Sequence, residues 1–243
     1  MTSAFTQKLA RGIGLSAPDC AVLEEIIPAA FTTERGDHLI REGDIPKAIF
    51  LLREGWAARY KMLPDGRRQI LAFLIPGDIC DLHVFLRKKM DHGVVVLSPG
   101  SAVAIAPETM KRVIDAYPTI ARALSWTTLV DQAVLREWLT SVAQRDALAK
   151  TAHLFCEIWL RLRAVGLVEE RRFALPMTQV DLGDALGLTS VHVNRQLQRM
   201  RTEGLIKLER QELTISDPTQ LAALCGFDPN YLHMSRDDSD LPW

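Results

Sequence analysis

The chain has 243 residues, 48% of them hydrophobic, enough to bury one or two real cores. Its 29 basic side chains are balanced by 30 acidic ones, so no global charge draws it to nucleic acid or to an anionic membrane, and any such pull must be local. The longest weakly charged stretch, residues 93–107, is broken by Ser98-Pro99-Gly100 and is too short to cross a bilayer. Met1-Thr2-Ser3-Ala4-Phe5 has no basic region leading into an apolar run, so no secretory signal is expected. Four isolated cysteines (Cys20, Cys80, Cys156 and Cys225) read as reduced thiols of a cytoplasmic protein.

Residues 1–116 read as a strand-rich first domain. Turns recur at Arg35-Gly36-Asp37, Glu42-Gly43-Asp44, Arg53-Glu54-Gly55, Pro64-Asp65-Gly66 and Pro76-Gly77-Asp78. Short apolar runs lie between or beyond them, such as Ile49-Phe50-Leu51-Leu52, residues 70–75 and Val94-Val95-Val96-Leu97, the spacing of a small sandwich or barrel. Residues 117–145 then turn helical, with no proline or glycine from 119 to 142. Leu124, Thr128, Asp131, Leu135, Trp138 and Val142 alternate by four and three, which predicts a coiled-coil seam and a homodimer. Such a helix spans ~37 Å, longer than a small barrel needs as cover. Asp146 is the expected N-cap of the helix that opens the last domain, residues 146–230.

The most specific pattern lies between Leu175 and Ile215. Thr178 with Asp181 three residues on forms a capping-box pattern, and Gly187 suits a helix end with positive φ. Thr189 caps a second helix two residues later, which together make a helix-turn-helix. Val193, Leu197 and Met200 form the apolar face of that second helix, expected to pack on Leu182 and Leu186. Its remaining face carries Ser190, Asn194, Arg195, Gln198, Arg199 and Arg201, and no acid occurs from Ser190 to Thr202. That helix is the one the motif places in a DNA major groove.

Arg195 is the candidate for bidentate reading of a guanine edge, Asn194 and Ser190 for neighbouring groups, and Val191 for a thymine methyl. Thr189, His192 and Arg199 complete the recognition-helix set, while Thr178 and Gln179 lie where the first helix crosses the phosphate backbone. Two short apolar strands after Gly204 predict a β-hairpin wing, with Lys207 and Arg210 as phosphate-reaching candidates. Its tip lacks the glycine such turns prefer. Residues 231–243, with Asp237, Asp238 and Asp240, read as a disordered tail.

Barrel, long helix and winged helix in this order resemble the family of bacterial regulators that includes the cyclic AMP receptor protein and the fumarate-nitrate regulator. The residues that carry the resemblance are Met177-Thr178, Leu186-Gly187-Leu188-Thr189, Arg195, the hinge-like Asp146, and Gly43, Gly55, Gly66 and Gly77. The text from Cys80-Asp81-Leu82-His83 to Leu154-Phe155-Cys156-Glu157 is similar to an α-proteobacterial branch of it. The resemblance covers residues 31–224. It implies an α+β fold with a cyclic-nucleotide-binding-like β-barrel of the jelly-roll kind, a long dimerisation helix and a C-terminal winged helix-turn-helix. It also implies a cytoplasmic homodimer acting on double-stranded DNA with RNA polymerase, modulated by an unknown small-molecule effector.

The departures from that family decide what is expected in the barrel. Its cyclic AMP-binding members form their pocket from a Gly-Glu pair and an Arg-Ser pair. Here Cys80-Asp81 (or Asp81-Leu82 without a gap) and Asp91-His92 stand in those places. The family's ligand-contacting Thr-Ser pair on the long helix becomes Leu135-Arg136. With carboxylates and no arginine fork, burial of a cyclic phosphate is unfavourable, so cyclic AMP is not the expected effector. The candidate effector-pocket residues are Cys80, Asp81, Leu82, His83, Leu135 and Arg136.

Only Cys20 lies near the N-terminus, which disfavours the family's iron-sulfur cluster on count. Cys80-Asp81-Leu82-His83 is similar to the haem ligands of the carbon monoxide-sensing member, with one extra residue between them, so a haem- or redox-linked sensor is an alternative. A constitutive DNA-binding protein whose barrel is only a scaffold is another. No cofactor or metal is expected. No Gly-x-Ser-x-Gly, phosphate-binding glycine loop or His-Glu-x-x-His occurs, so no enzyme is expected.

Overall fold

A computed structural model describes residues 2–82 and 89–234. His83 and the expected tail from Ser235 to Trp243 lie outside the described residues. The chain divides into two compact units, Met1–Gln132 and Ala133–Trp243. One long helix runs through the division.

The first unit begins with two helices, α1 (Ala4–Ile13) and α2 (Ala17–Glu25), which the reading of residues 1–116 as strand-rich did not include. The signal was legible: Ser16 and Asp19 form a reciprocal capping box with proline in the first turn. Phe5 and Leu9, one helical turn apart, are buried together with Leu23 in the same core as the barrel residues Ile49, Leu51 and Val103. Helices rather than further strands thus cover part of the barrel.

The strands are β1 (Phe31–Thr33), β2 (His38–Ile40), β3 (Ile49–Glu54), β4 (Ala57–Met62), β5 (Arg68–Leu74), β6 (Gly93–Val96) and β7 (Gly100–Ile105). They form two antiparallel sheets, ordered β1-β7-β3 and β2-β6-β4-β5. The expected turn glycines Gly36, Gly43, Gly55, Gly66 and Gly77 all have positive φ. Gly93 serves a different purpose, since a Cβ there would lie 2.4 Å from the Tyr60 ring on the neighbouring strand.

Helix α3 (Pro107–Ala116) leads to α4 (Pro118–Gln144), 27 residues long. The seam expected on α4 is split. Leu124 is buried in the core of the first unit, and Trp138 is buried in the second, where its indole donates to Glu157. Asp131 is engaged by Arg59. The uncovered apolar stripe keeps Leu135 and Val142 of the expected seam, 52% and 36% exposed, and takes Leu139, 70% exposed, in place of Trp138. The cause is that one helix carries two adjacent apolar faces, and a four-three spacing drawn from Leu124 straddles both.

The second unit contains α5 (Ala147–Arg163), β8 (Arg172–Ala174), α6 (Gln179–Leu186), α7 (Ser190–Thr202), β9 (Ile206–Glu209), β10 (Glu212–Ile215) and α8 (Pro218–Cys225). Asp146 caps α5 as expected, accepting from the amides of Leu148 and Ala149 at 2.9 Å each. The sheet is ordered β8-β10-β9. Strand β8 was not expected, although Phe173 buried between exposed Arg172 and Ala174 is the alternation of a half-covered strand.

The domain also extends beyond residue 230. A 3-10 helix, Pro229–Leu232, buries Leu232, and the Tyr231 hydroxyl donates to Glu157 at 3.0 Å. An expected tail beginning at residue 231 is therefore corrected for Tyr231 and Leu232. Composition marked the acidic end, whereas a single buried carboxylate anchors the aromatic residue before it.

The wing turns through Arg210 and Gln211, with φ of 48° and 65°, in register Glu209↔Glu212 and Leu208↔Leu213. Two positive-φ residues make a primed two-residue turn without its usual glycine. Replacing Gln211 with glycine is expected to raise stability by about 1 kcal/mol, since an L side chain costs ~1–2 kcal/mol in the left-handed region. The urea midpoint at unchanged slope measures it; an unaltered or lower midpoint would show the turn is unstrained.

Candidate nucleic-acid interface and effector barrel

The helix-turn-helix is built from α6 and α7. Thr178 accepts from the Asp181 amide while Asp181 accepts from the Thr178 amide and hydroxyl, closing the expected capping box. Gly187 ends α6 with φ 65°, and its amide donates to Gly183. Thr189 caps α7 by accepting from the His192 amide at 3.3 Å. Both threonines are exposed and hold helix ends.

A glycine inside α6 sets the distance between the two helices. A Cβ on Gly183 would lie 2.5 Å from the Leu188 carbonyl oxygen, and the Leu188 amide donates to the Gly183 carbonyl at 3.0 Å. Sequence reasoning passed over this residue. Its signal was a glycine in the middle of a helical pattern, which costs ~1 kcal/mol unless packing requires it.

Helix α7 separates its faces as expected. Val193, Leu197 and Met200 are buried, and Gln196 joins them. Val191, 76% exposed, presents an apolar side chain to solvent in the first turn and a half. Ser190 is half-buried, while His192, Asn194 and Arg195 are exposed. Arg195 has no ion pair or hydrogen bond among the described residues, so its planar fork is available to an acceptor. Gln179, at the start of α6, donates to the Asn194 carboxamide at 3.5 Å, joining the backbone-crossing position to the recognition helix. Arg199 differs, because its Nε donates to Glu203 at 2.7 Å one turn on. The acid-free window ended one residue too early to show this. On the wing, Lys207 and Arg210 are exposed.

Behind the motif, buried Lys150 on α5 donates to the carbonyls of Val142 at 3.2 Å and Leu186 at 3.4 Å. One ammonium thus satisfies orphan carbonyls at the C-terminal ends of α4 and α6. Glu157, fully buried, accepts from Trp138 at 2.9 Å, Tyr231 at 3.0 Å and Arg161 at 3.1 Å. Burial pushes its pKa up, opposed by Arg161, Trp138 and Tyr231. His153 stacks on Tyr231 and meets Phe227 edge-on, and burial drives its pKa down to about 3, leaving a neutral ring.

In the barrel, Cys80, Asp81 and Leu82 are all buried. Burial pushes the Cys80 thiol up to about 12, so it stays protonated. His92 lies 2.9 Å from Asp91 through Nδ1 and 3.9 Å from Asp81 through Nε2, bringing together two positions read separately in the sequence. Leu135 and Arg136 are exposed on α4 in the second unit.

The expectation that this region lacks an arginine fork is corrected. Arg59, on β4, donates through Nε to the Cys80 carbonyl at 2.8 Å and through Nη2 to the Ile79 carbonyl at 3.0 Å and to Asp131 at 2.8 Å. Burial alone would lower its pKa, but Asp131 holds it above the ordinary value. Nothing in the local sequence announced Arg59. Ile79 and Cys80 run beside β3, where Ile79 bridges Leu51 and the Cys80 amide donates to Phe50, and only the side chain of Arg59 reaches them from β4, some twenty positions away in sequence.

Among the described residues no helix is long and apolar enough to cross a membrane. Two family models match the chain, a cyclic nucleotide-binding domain over residues 31–117 and a Crp-like helix-turn-helix domain over residues 149–224. The nitrogen fixation regulation protein FixK of Bradyrhizobium diazoefficiens is 28% identical over 191 residues, covering 79% of each chain. The transcriptional activator protein anr of Pseudomonas aeruginosa is 25% identical over 214 residues, covering 88% of this chain and 87% of its own. The structure of FixK2 from Bradyrhizobium japonicum superposes with a TM-score of 0.71 at 21% identity, covering 81% of this chain and 96% of its own, and so shares the fold. With a cyclic nucleotide-binding barrel and a Crp-like helix-turn-helix in one chain, and relatives along most of its length, the protein belongs to the Crp/Fnr family of DNA-binding transcription regulators and is not an enzyme.

Proposed function

We propose that the protein acts as a cytoplasmic homodimer on an inverted-repeat operator, placing one α7 in each of two major-groove turns ~34 Å apart. The observation that carries the DNA-reading part is Arg195, unpaired among the described residues, on the outer face of a helix whose inner face is fully buried. The bare stripe Leu135, Leu139 and Val142 on α4 supports pairing of two copies, because an exposed apolar stripe at four-three spacing is a coiled-coil seam. RNA polymerase is the further partner, and a small molecule in the barrel adjusts activity.

Replacing Arg195 with alanine is expected to cost about 1–3 kcal/mol of operator affinity and to relax preference at one base position. Titration of the retained operator and of single-base variants measures both. Unchanged affinity and selectivity would remove α7 from the groove.

A reading without a bound cofactor is favoured over the haem alternative. Cys80 is fully buried among the apolar residues of the barrel core, where its sulfur packs as a small hydrophobic group. Reconstitution with haem tests this, a Soret band that persists through purification being the adverse result.

A further inference from the structure

We propose that Arg59 is the anion-binding centre of the barrel, and that it takes a small molecule bearing a carboxylate or phosphate group in exchange for Asp131. The inference rests on the reading of the barrel as an effector domain and names the chemical class of its ligand. The guanidinium side chain is 18% exposed and lies within the cyclic nucleotide-binding match. Two of its donors hold the Ile79 and Cys80 carbonyls, which fixes the plane and direction of the fork. Asp131 takes the remaining contact through one oxygen on Nη2, and Nη1 has no partner among the described residues. A carboxylate or phosphate uses two parallel N–H donors where it can, so the fork is held in place with its strongest binding mode unused.

Asp131 has the character of a replaceable occupant. Its side chain is 54% exposed, so leaving Arg59 returns it to water at little cost. It stands on α4, outside the matched barrel sequence, whereas the carbonyl partners are within it. A ligand that engages both Nη groups therefore competes with one carboxylate oxygen and releases the middle of α4 from β4. Occupancy of the barrel and the restraint on the long helix are then linked, and each affects the other by the same free energy.

The test uses the full chain as wild type, Asp131→Asn and Arg59→Met. Inorganic phosphate and succinate are titrated separately by calorimetry, with retention of operator DNA measured in parallel on the wild type. Removing the competing carboxylate is expected to tighten saturable binding of at least one probe tenfold or more in Asp131→Asn, and Arg59→Met is expected to abolish it. Response to phosphate alone or succinate alone assigns the ligand's acidic group.

Equal binding by wild type and Asp131→Asn, or none to Asp131→Asn, overturns the proposal and leaves the Arg59–Asp131 pair as a structural strap. This comparison stands even if Arg59→Met does not fold, because Asp131 is half-exposed. Operator retention without anion binding defeats this inference and spares the regulator reading; no operator retention by the wild type defeats that reading.

Discussion

Replacing Glu157 with alanine is expected to lower the unfolding free energy of the second unit by about 3–5 kcal/mol, the range for removing one member of a buried charged network. The carboxylate is fully buried and gathers donors from three places: Trp138 on α4, Arg161 on its own helix and Tyr231 in the C-terminal 3-10 helix. Alanine deprives a buried indole N–H and a hydroxyl of this acceptor and leaves a void in their place. Glutamine keeps one acceptor oxygen and the volume, so Glu157→Gln should lose only about 1–2 kcal/mol. Urea unfolding followed by tryptophan fluorescence measures both variants. An alanine variant within 1 kcal/mol of wild type would mean that apolar packing alone holds the C-terminal segment.

A second large effect is expected from Gly183→Ala. Alanine favours a helix over glycine by ~1 kcal/mol, so local propensity predicts stabilisation. The added Cβ would instead sit 2.5 Å from the Leu188 carbonyl oxygen, which is main chain and can move only with the turn between α6 and α7. Overpacking of this kind costs ~1–3 kcal/mol, and relief of the clash tilts the recognition helix away from the helix it packs on. Operator affinity is therefore expected to fall at least tenfold, with a lower melting temperature.

Gly187→Asn is the contrast. Asparagine tolerates positive φ, and the nearest atom to a Cβ there is a Val142 methyl at 3.5 Å, an ordinary contact. That variant should keep its operator affinity. If Gly183→Ala binds operator as tightly as wild type, the close approach of the two helices is not what places α7.

Both residues show where reading the chain stops being sufficient. The helix-turn-helix was legible because its signals are local: a cap three residues from its partner acid, a glycine at a helix end, and an apolar repeat at helical spacing. Thr178, Asp181, Gly187, Thr189, Val193, Leu197 and Met200 all occupy the roles their spacing predicts. The turn glycines of the barrel were legible for the same reason.

What was missed depends on distant partners. Ser16 and Asp19 carry a local capping signal for the opening helices, but the cover these give the barrel depends on Phe5, Leu9 and Leu23 meeting strands more than twenty positions on. Arg199 lies on the polar face with Arg195, but its Nε is held by Glu203 one turn on, just past the acid-free stretch.

The amino-acid order alone determined the two caps of the motif and the outward face of α7, since each follows from contacts within about four residues, and its motifs carried the resemblance that gave the family architecture. Folding in three dimensions decided the rest. It placed Arg59 against Cys80 and Asp131, gathered Trp138 and Tyr231 on Glu157, and divided the apolar residues of α4 between buried and bare faces. These are pairings between residues roughly twenty to seventy-five positions apart, and a side chain carries no local mark of which distant strand or helix will satisfy its charge or cover its surface.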